Sequence, residues 1–484
     1  MKDAAATGPD AREARRPLSR WTLFAFALPA APISAMGLPL AVHLPPFYAG
    51  TLGLGLAVVG TIFMFARFWD VFTDPVLGIV SDKYETRFGR RRHWIVIAVP
   101  IMMLSVYMIF MPPGEVSALY LIGWLFVLYV GWTLLTISHM SWGAELTPDY
   151  HERSRVQGAR EVALILGMVL VLTLPILIEM TAPEDPASAR VASMGWFVLI
   201  LLPIAVGLAV WKVPERPTPP PVHVPMREAI GALVSSKPLQ NVLAADLISG
   251  ISGGLVASMF IFLAEDALQL HRYSSLMLLG YFISGVSFIP VMLWLSRRFG
   301  KHRTAAYSAL FNAASVPLIL LVPVGNAWAA MAVWILCGVN MAAGPFLFRS
   351  IMADVADHDT VRTGQQRTGL FYSMLTMTNK IGVAVAIFGA YTMLDMIGFV
   401  PRGENSQAVL DALRAVYVWP ACIISIGVAA ILWFYPIDEN KQRENREILE
   451  RRGLERIEIE AAATAIAART AHPSDAQSSG VPAD

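Results

Sequence analysis

Long apolar stretches, separated by short polar turns, run the length of the chain. They occupy residues 21–43, 54–81, 93–112, 118–146, 156–180, 192–212, 239–264, 273–296, 303–324, 328–353, 368–397 and 412–435. A helix needs about 20 apolar residues to cross the hydrocarbon core of a bilayer, so each stretch predicts one membrane-spanning helix. Several are longer than that, which implies tilt or extension into water. The polar connections alternate in charge. One set carries Lys83, Arg87, Arg90, Arg91 and Arg92, then Arg153 and Arg155, Arg216 and Arg227, Arg297, Arg298, Lys301 and Arg303, and last Arg362 and Arg367. The other set is poor in Lys and Arg, with Glu115, then Glu184, Asp185 and Arg190, then Glu265, Asp266 and Arg272. Basic connections stay in the cytoplasm, so every even-numbered helix is expected to end there, with both termini on that side. The alternation favours twelve spans over eleven or thirteen.

Between spans six and seven the run from Val213 to Pro225 is rich in proline, which cannot continue a helix and favours an extended linker. The chain therefore reads as a cytoplasmic N-terminal tail (1–20), a six-helix bundle (21–212), a cytoplasmic linker (213–238), a second six-helix bundle (239–436) and a charged, partly disordered cytoplasmic tail (437–484). A weak repeat supports the division. Arg87-Phe88-Gly89-Arg90 follows span two, and Arg298-Phe299-Gly300-Lys301 follows span eight. A basic turn at the corresponding point of each half is what duplicated transporter halves show, with the substrate held between them.

Composition agrees with a lipid-solvated chain. Of 484 residues, 56% are hydrophobic and 15% charged, against about a quarter charged in soluble domains. A net charge of +1 gives no reason to expect a nucleic-acid partner. Cys337 and Cys422 lie in apolar stretches and read as small core residues, not as a disulfide or metal pair. The basic N-terminus has no small-residue cleavage site before Trp21, so the first span is expected to direct insertion, into a bacterial inner membrane. No HExxH, nucleotide-binding glycine loop or nucleophile–base pair is present, so an enzyme is not expected, nor is any cofactor.

A charge at mid-bilayer costs roughly 2.5–3.5 kcal/mol on insertion scales and marks function by default. Span two holds Arg67, Asp70 and Asp74 on one face, a turn apart. Two carboxylates this close resist joint ionisation unless a cation sits between them, which suits coupling to a proton or sodium ion. The alternative is a structural Arg67–Asp70 pair with Asp74 ending the helix at Pro75. At the basic face Asp82 and Arg87, then Glu145, Asp149 and Arg153, are candidate gating ion pairs, with a solvated loop as the equal alternative. Arg349, Asp354 and Asp357 near the end of span ten are candidates for an internal pair or gate. Arg160 enters span five where it can face a cavity. Lys380, deep in span eleven, needs a carboxylate partner or an anionic ligand. His139, beside Thr136 and Ser138, is a candidate cavity contact, with a packing role as the more ordinary reading. Asp246 in span seven is expected to make a polar contact across the halves.

The run from Ala66 to Gly78, with Asp82 and Thr86 to Arg92, resembles the glycoside–pentoside–hexuronide:cation symporters of the major facilitator superfamily. Glu145 to Arg153, and Ala353 to Asp359 with Arg362 to Arg367, are similar to further segments of that family, and the likeness covers nearly the whole chain outside its tails. It implies an all-α integral membrane protein with the major facilitator fold, about twelve helices in two pseudo-symmetric bundles. By resemblance Asp70 and Asp74 bind the coupling cation, Thr133 assists them, Lys380 and Thr376 lie near that site, and Arg160 faces the sugar. The two acidic positions with which the family's galactoside carrier grips sugar hydroxyls fall here on Ser34 and Thr136. With those carboxylates missing, and Arg160, Arg349 and Lys380 near the cavity, an anionic sugar such as a uronide fits the charge balance.

The expectation is a monomeric secondary transporter that moves a sugar, glycoside or uronide with Na⁺ or H⁺ by alternating access. A non-sugar organic solute or lysolipid carrier on the same fold is the alternative; the polar sequence around Thr133, Thr136, Ser138 and His139 argues mildly against an apolar lipid cleft. A channel is disfavoured by the duplicated halves.

Overall fold

The computed structural model describes residues 18–147, 150–181, 187–215, 226–341, 343–365 and 367–452. The first span, α1, runs over Arg20–Thr51. After it come α2 (Leu56–Lys83), α3 (Arg92–Phe110), α4 (Ala118–Glu145), α5 (Tyr150–Thr181) and α6 (Ala187–Lys212). A short linker helix, Met226–Ser235, precedes α7 (Lys237–Ala267). The second half continues with α8 (Ser274–Ser287 and Ile289–Phe299), α9 (Lys301–Leu321), α10 (Ala327–Gly338 and Ala343–Thr363), α11 (Thr368–Met396) and α12 (Gln407–Trp433).

Among the described residues ten helices are long and apolar enough to cross a membrane alone, and α8, bent by 42°, makes eleven. The stretch expected as span ten, 328–353, is not one continuous helix. It breaks after Gly338, where a Cβ would lie 2.3 Å from the Tyr281 carbonyl oxygen. The backbones of α8 and α10 touch there, and only glycine permits that approach. Pro345, in the first turn of the following helix, costs that helix little because its missing N–H would have had no intrahelical partner.

In α1, Pro39, Pro45 and Pro46 remove backbone donors, and the chain passes through two π-helical segments, Pro39–His43 and Phe47–Thr51. The most apolar windows of α1 and α7 are 78% and 61% buried, whereas that of α5 is 22% buried. The first two are thus the enclosed helices and α5 turns most of its surface outward. The α7–α11 seam is built on glycine: a Cβ at Gly382 would sit 2.4 Å from the Leu247 carbonyl oxygen, and one at Gly254 2.6 Å from Ala386. Small residues let membrane helices approach this closely. Across the halves, α2 meets α11 at Gly60, whose added Cβ would lie 2.9 Å from that of Tyr391.

Both basic turns adopt the same arrangement. Gly89 and Gly300 have φ of +103° and +84°, a backbone that favours glycine. Arg90 then reaches Glu145 at the end of α4 (2.7 Å), and Lys301 reaches Asp354 on α10 (2.7 Å). The two described chain ends meet this same face. The Leu18 N–H donates to Glu152 (3.1 Å), while in the segment 439–452 Gln442 donates to Asp357 (2.9 Å) and Arg452 to the Val361 carbonyl (3.0 Å).

Candidate functional site

Asp70 and Asp74 lie on one face of α2, and the structure brings two other elements to them. From α4 the Thr133 hydroxyl sits 3.0 Å from Asp70 Oδ1 and 2.9 Å from Asp74 Oδ1. From α11, in the other half, Lys380 Nζ lies 2.7 Å from Asp70 Oδ2 and 2.6 Å from Asp74 Oδ2. Arg67 Nη1 approaches Asp70 Oδ2 at 3.5 Å, and its guanidinium stacks over the Tyr129 and Trp132 rings at 5.1 and 5.6 Å. Asp70 is 2% exposed. Pro75 cannot donate to the Val71 carbonyl, which loosens the helix backbone beside the pair. Two carboxylates and one hydroxyl form a set of hard oxygen donors suited to an alkali cation, and here the Lys380 ammonium takes that place. The lysine is therefore a tethered cation that joins one half to the other.

The expected substrate positions fall into two groups. Arg160 is 7% exposed, with Nη1 3.3 Å from its neighbour Glu161. Its Nε and the Thr136 hydroxyl are buried without a hydrogen-bond partner among the described residues, which leaves bonding capacity for a ligand or water. Ser34 is half-buried. Arg349 is exposed on α10 and its carbonyl accepts from the Tyr372 hydroxyl (3.0 Å). His139 is fully enclosed, with Nε2 2.7 Å from the Phe26 carbonyl and its ring stacked on Phe26 at 4.6 Å. The Thr376 hydroxyl donates to the Tyr372 carbonyl of its own helix (3.0 Å).

Of the expected gating residues, Asp82 and Glu145 converge on one arginine. Arg91 Nη2 lies 2.6 Å from Asp82 and 2.8 Å from Glu145, and Arg91 is held above the ordinary arginine range by its hydrogen bonds to Glu145 and Asp82, against the opposing effect of burial. Arg87 is exposed and stacks on Phe88 at 4.7 Å. Asp149 lies outside the described residues, as does the side chain of Arg153. Asp354 pairs with Lys301 and Asp357 with Gln442; among the described residues neither forms a salt bridge with Arg349. All of these contacts stay within one half or reach its own tail.

A second junction between the halves was not read from the sequence. At the face opposite the chain ends, Arg190 of α6 lies 2.9 Å from Glu179 of α5 and 2.5 Å from Glu265 of α7. Ser274 and Ser275 of α8 donate to Glu179 at 3.0 and 2.5 Å. Arg190 is 3% exposed and Glu179 1%, so a buried ion triad closes this face across the halves. His271 approaches Glu265 at 3.9 Å. The neighbouring Glu265 carboxylate raises the imidazole above its ordinary range, so its charged form supports the closure and the support fades as pH rises through the raised value. The signal available in the sequence was Glu179, a lone acid at the end of an apolar stretch.

Residues 25–439 match the family described as MFS/sugar transport protein. The glucuronide carrier protein homolog of Escherichia coli (strain K12) is 23% identical over 421 residues, 85% of this chain and 90% of that one. The sodium-dependent lysophosphatidylcholine symporter 1 of Gallus gallus is 24% identical over 486 residues, 91% of each chain. The crystal structure of a D-xylose-proton symporter superposes with a TM-score of 0.62 at 14% identity, covering 86% of this chain and 97% of that one, a likeness of fold.

Proposed function

The chain belongs to the MFS/sugar transport protein family, and on that premise we propose that it is a cation-coupled symporter of an anionic sugar, working by alternating access. It is an integral membrane transporter and not an enzyme. The observation that carries the coupling is the Lys380 bridge to Asp70 and Asp74. A sodium ion or proton arriving at the pair takes over the neutralisation that Lys380 supplies. Lys380 is then released, and a bond between the halves is lost. The halves can rock only when charge at the crossing is balanced, because an uncompensated buried charge costs several kcal/mol. Thr133 stays with the pair and supplies an oxygen to the incoming cation.

Arg160 and Arg349 favour a negatively charged solute, and Ser34 and Thr136 bring no carboxylate to oppose it. A uronide meets that description, and the glucuronide carrier homolog is in keeping with it. A lysolipid headgroup also carries an anionic phosphate, and the lysophosphatidylcholine symporter supports this as the second reading. The basic turns favour a cytoplasmic position for the face that bears both described chain ends, and the reading has the chain acting as a monomer in a bacterial inner membrane. The Glu179–Arg190–Glu265 triad then closes the outer side, and the conformation is inward-facing.

Counterflow in proteoliposomes tests the substrate class. A uronide should exchange faster than its uncharged parent sugar, and Arg160→Gln should erase the difference. Equal exchange of the two sugars would remove the anionic assignment. Exchange of lysophosphatidylcholine alone would replace the sugar.

A further inference from the structure

Buried polar groups outside the coupling pair are not equally satisfied. Asp246 of α7 accepts from the Thr378 hydroxyl of α11 (3.0 Å), a bond within one half where a contact across the halves was expected. Tyr435, just past the end of α12, is 7% exposed, and its hydroxyl is enclosed without a hydrogen-bond partner among the described residues. It lines a cavity of about 290 Å³ at the face bearing the chain ends, together with Ile437 and with Gly300, Lys301 and His302 of the second basic turn.

The first half shows what such a turn binds. There the chain leaves α6 as Trp211-Lys212-Val213-Pro214-Glu215, and Glu215 accepts from the backbone N–H groups of Arg91 (2.6 Å) and Arg92 (3.2 Å) at the start of α3. The carboxylate fills the space beside Gly89, where an added Cβ would collide with it. It satisfies donors that a helix start leaves unpaired and meets the positive end of the helix dipole. The second half repeats the pieces. α12 packs on α9 as α6 packs on α3, and the chain leaves α12 as Trp433-Phe434-Tyr435-Pro436-Ile437. By this register Ile437 stands where Glu215 does, and His302 and Arg303 where Arg91 and Arg92 do. Among the described residues no side chain caps the start of α9, and a Cβ added at Gly300 meets nothing nearer than His302, at 3.8 Å. The acids bordering the cavity are engaged: Asp354 with Lys301 (2.7 Å), Asp438 with the Lys441 N–H (2.8 Å) and Glu439 with Arg443 (3.6 Å). Arg297 adds a positive charge to the border.

We propose that this cavity binds a phosphate group, which takes at α9 the place that the Glu215 carboxylate takes at α3. Its oxygens accept from the first N–H groups of α9 and from the Tyr435 hydroxyl, with Lys301 and Arg297 as counter-charges. Donors on several sides, in a space much larger than a carboxylate, suit a tetrahedral phosphate. The phosphate belongs either to a soluble molecule or to a lipid headgroup, for Trp433 and Phe434 beside the cavity are exposed, as aromatic residues at a lipid boundary are. Equilibrium dialysis of radiolabelled inorganic phosphate against the purified full chain in detergent tests the site. Wild type should bind it saturably. Tyr435→Phe keeps the ring, drops the hydroxyl and should raise the half-saturating concentration about tenfold. Ile437→Glu supplies the carboxylate of the first half and should abolish binding. Arg160→Gln, in the transport cavity, should still bind. No saturable binding by wild type would overturn the proposal. So would binding that Arg160→Gln abolishes while Tyr435→Phe and Ile437→Glu leave it unchanged, which would put the phosphate in the transport cavity. In nanodiscs of phosphatidylglycerol, loss of the binding seen in detergent identifies the lipid headgroup as the occupant, and persistence identifies a soluble phosphate.

Discussion

Thr133 has one hydroxyl hydrogen and two carboxylates within reach, at 3.0 and 2.9 Å. A cation between Asp70 and Asp74 resolves that shortage, because the hydroxyl then offers a lone pair. Thr133→Val removes the oxygen while keeping the shape. The expected effect is about a tenfold rise in the cation concentration for half-maximal uptake, since about 1.4 kcal/mol corresponds to a factor of ten; a titration of uptake against sodium and against pH checks it. Lys380→Met leaves the buried Asp70 and the half-buried Asp74 without their shared counter-charge. Breaking a buried pair costs about 3–5 kcal/mol, so a lower thermal unfolding midpoint is expected, with recovery as pH falls and the acids protonate. At this scale the sequence was informative where chemistry is costly. Charges in an apolar run announce themselves, and Asp70, Asp74 and Lys380 were all visible for that reason. Which cation meets which acid was not visible, because Arg91, Asp354 and Asp357 choose partners through packing between distant segments.

The elements follow the hydrophobic pattern closely but not in their interruptions. Length and apolarity locate a span; they do not say where two backbones will touch. The break after Gly338 lies where the chain meets Tyr281 on α8, nearly sixty residues away, and nothing in a local window records that contact. The π-helical segments of α1 were similarly hidden, although Pro39, Pro45 and Pro46 marked the place. The α7–α11 seam gives a prediction. Gly382→Val drives a branched side chain into the Leu247 carbonyl, and overpacking of this kind costs about 1–3 kcal/mol. Thermal unfolding of the purified variant should shift down, while Gly389→Val, at a position with nothing within 4 Å of an added Cβ, should leave it unchanged.

Across the whole molecule, among the described residues, ion pairs join the halves at two places, the Lys380 bridge and the Arg190 triad. The first answers to a cation. The second holds the far face shut, and its stability sets how readily the protein opens there. Arg190→Gln leaves Glu179 and Glu265 without the buried cation they share. A loss of about 3–5 kcal/mol is two decades or more in the equilibrium between closed and open states. A cysteine placed by Thr51→Cys, on a residue lining this closed region, should then react with an impermeant maleimide much faster in the Arg190→Gln background. Equal labelling rates would show that the triad is not what closes the face. The two-bundle architecture was legible from charge alternation, the proline-rich linker and the repeated basic turn. The triad was not, because its members sit at the ends of three stretches that the sequence gives no reason to bring together.

The most direct test of coupling compares two modes of transport in the same proteoliposomes. Wild-type protein should accumulate a uronide under an imposed sodium or proton gradient and should also exchange it without one. In Asp70→Asn and Asp74→Asn, accumulation driven by the gradient should disappear while the Arg160-dependent exchange persists at reduced rate. Accumulation that survives both substitutions would contradict the assignment of the acidic pair as the cation site.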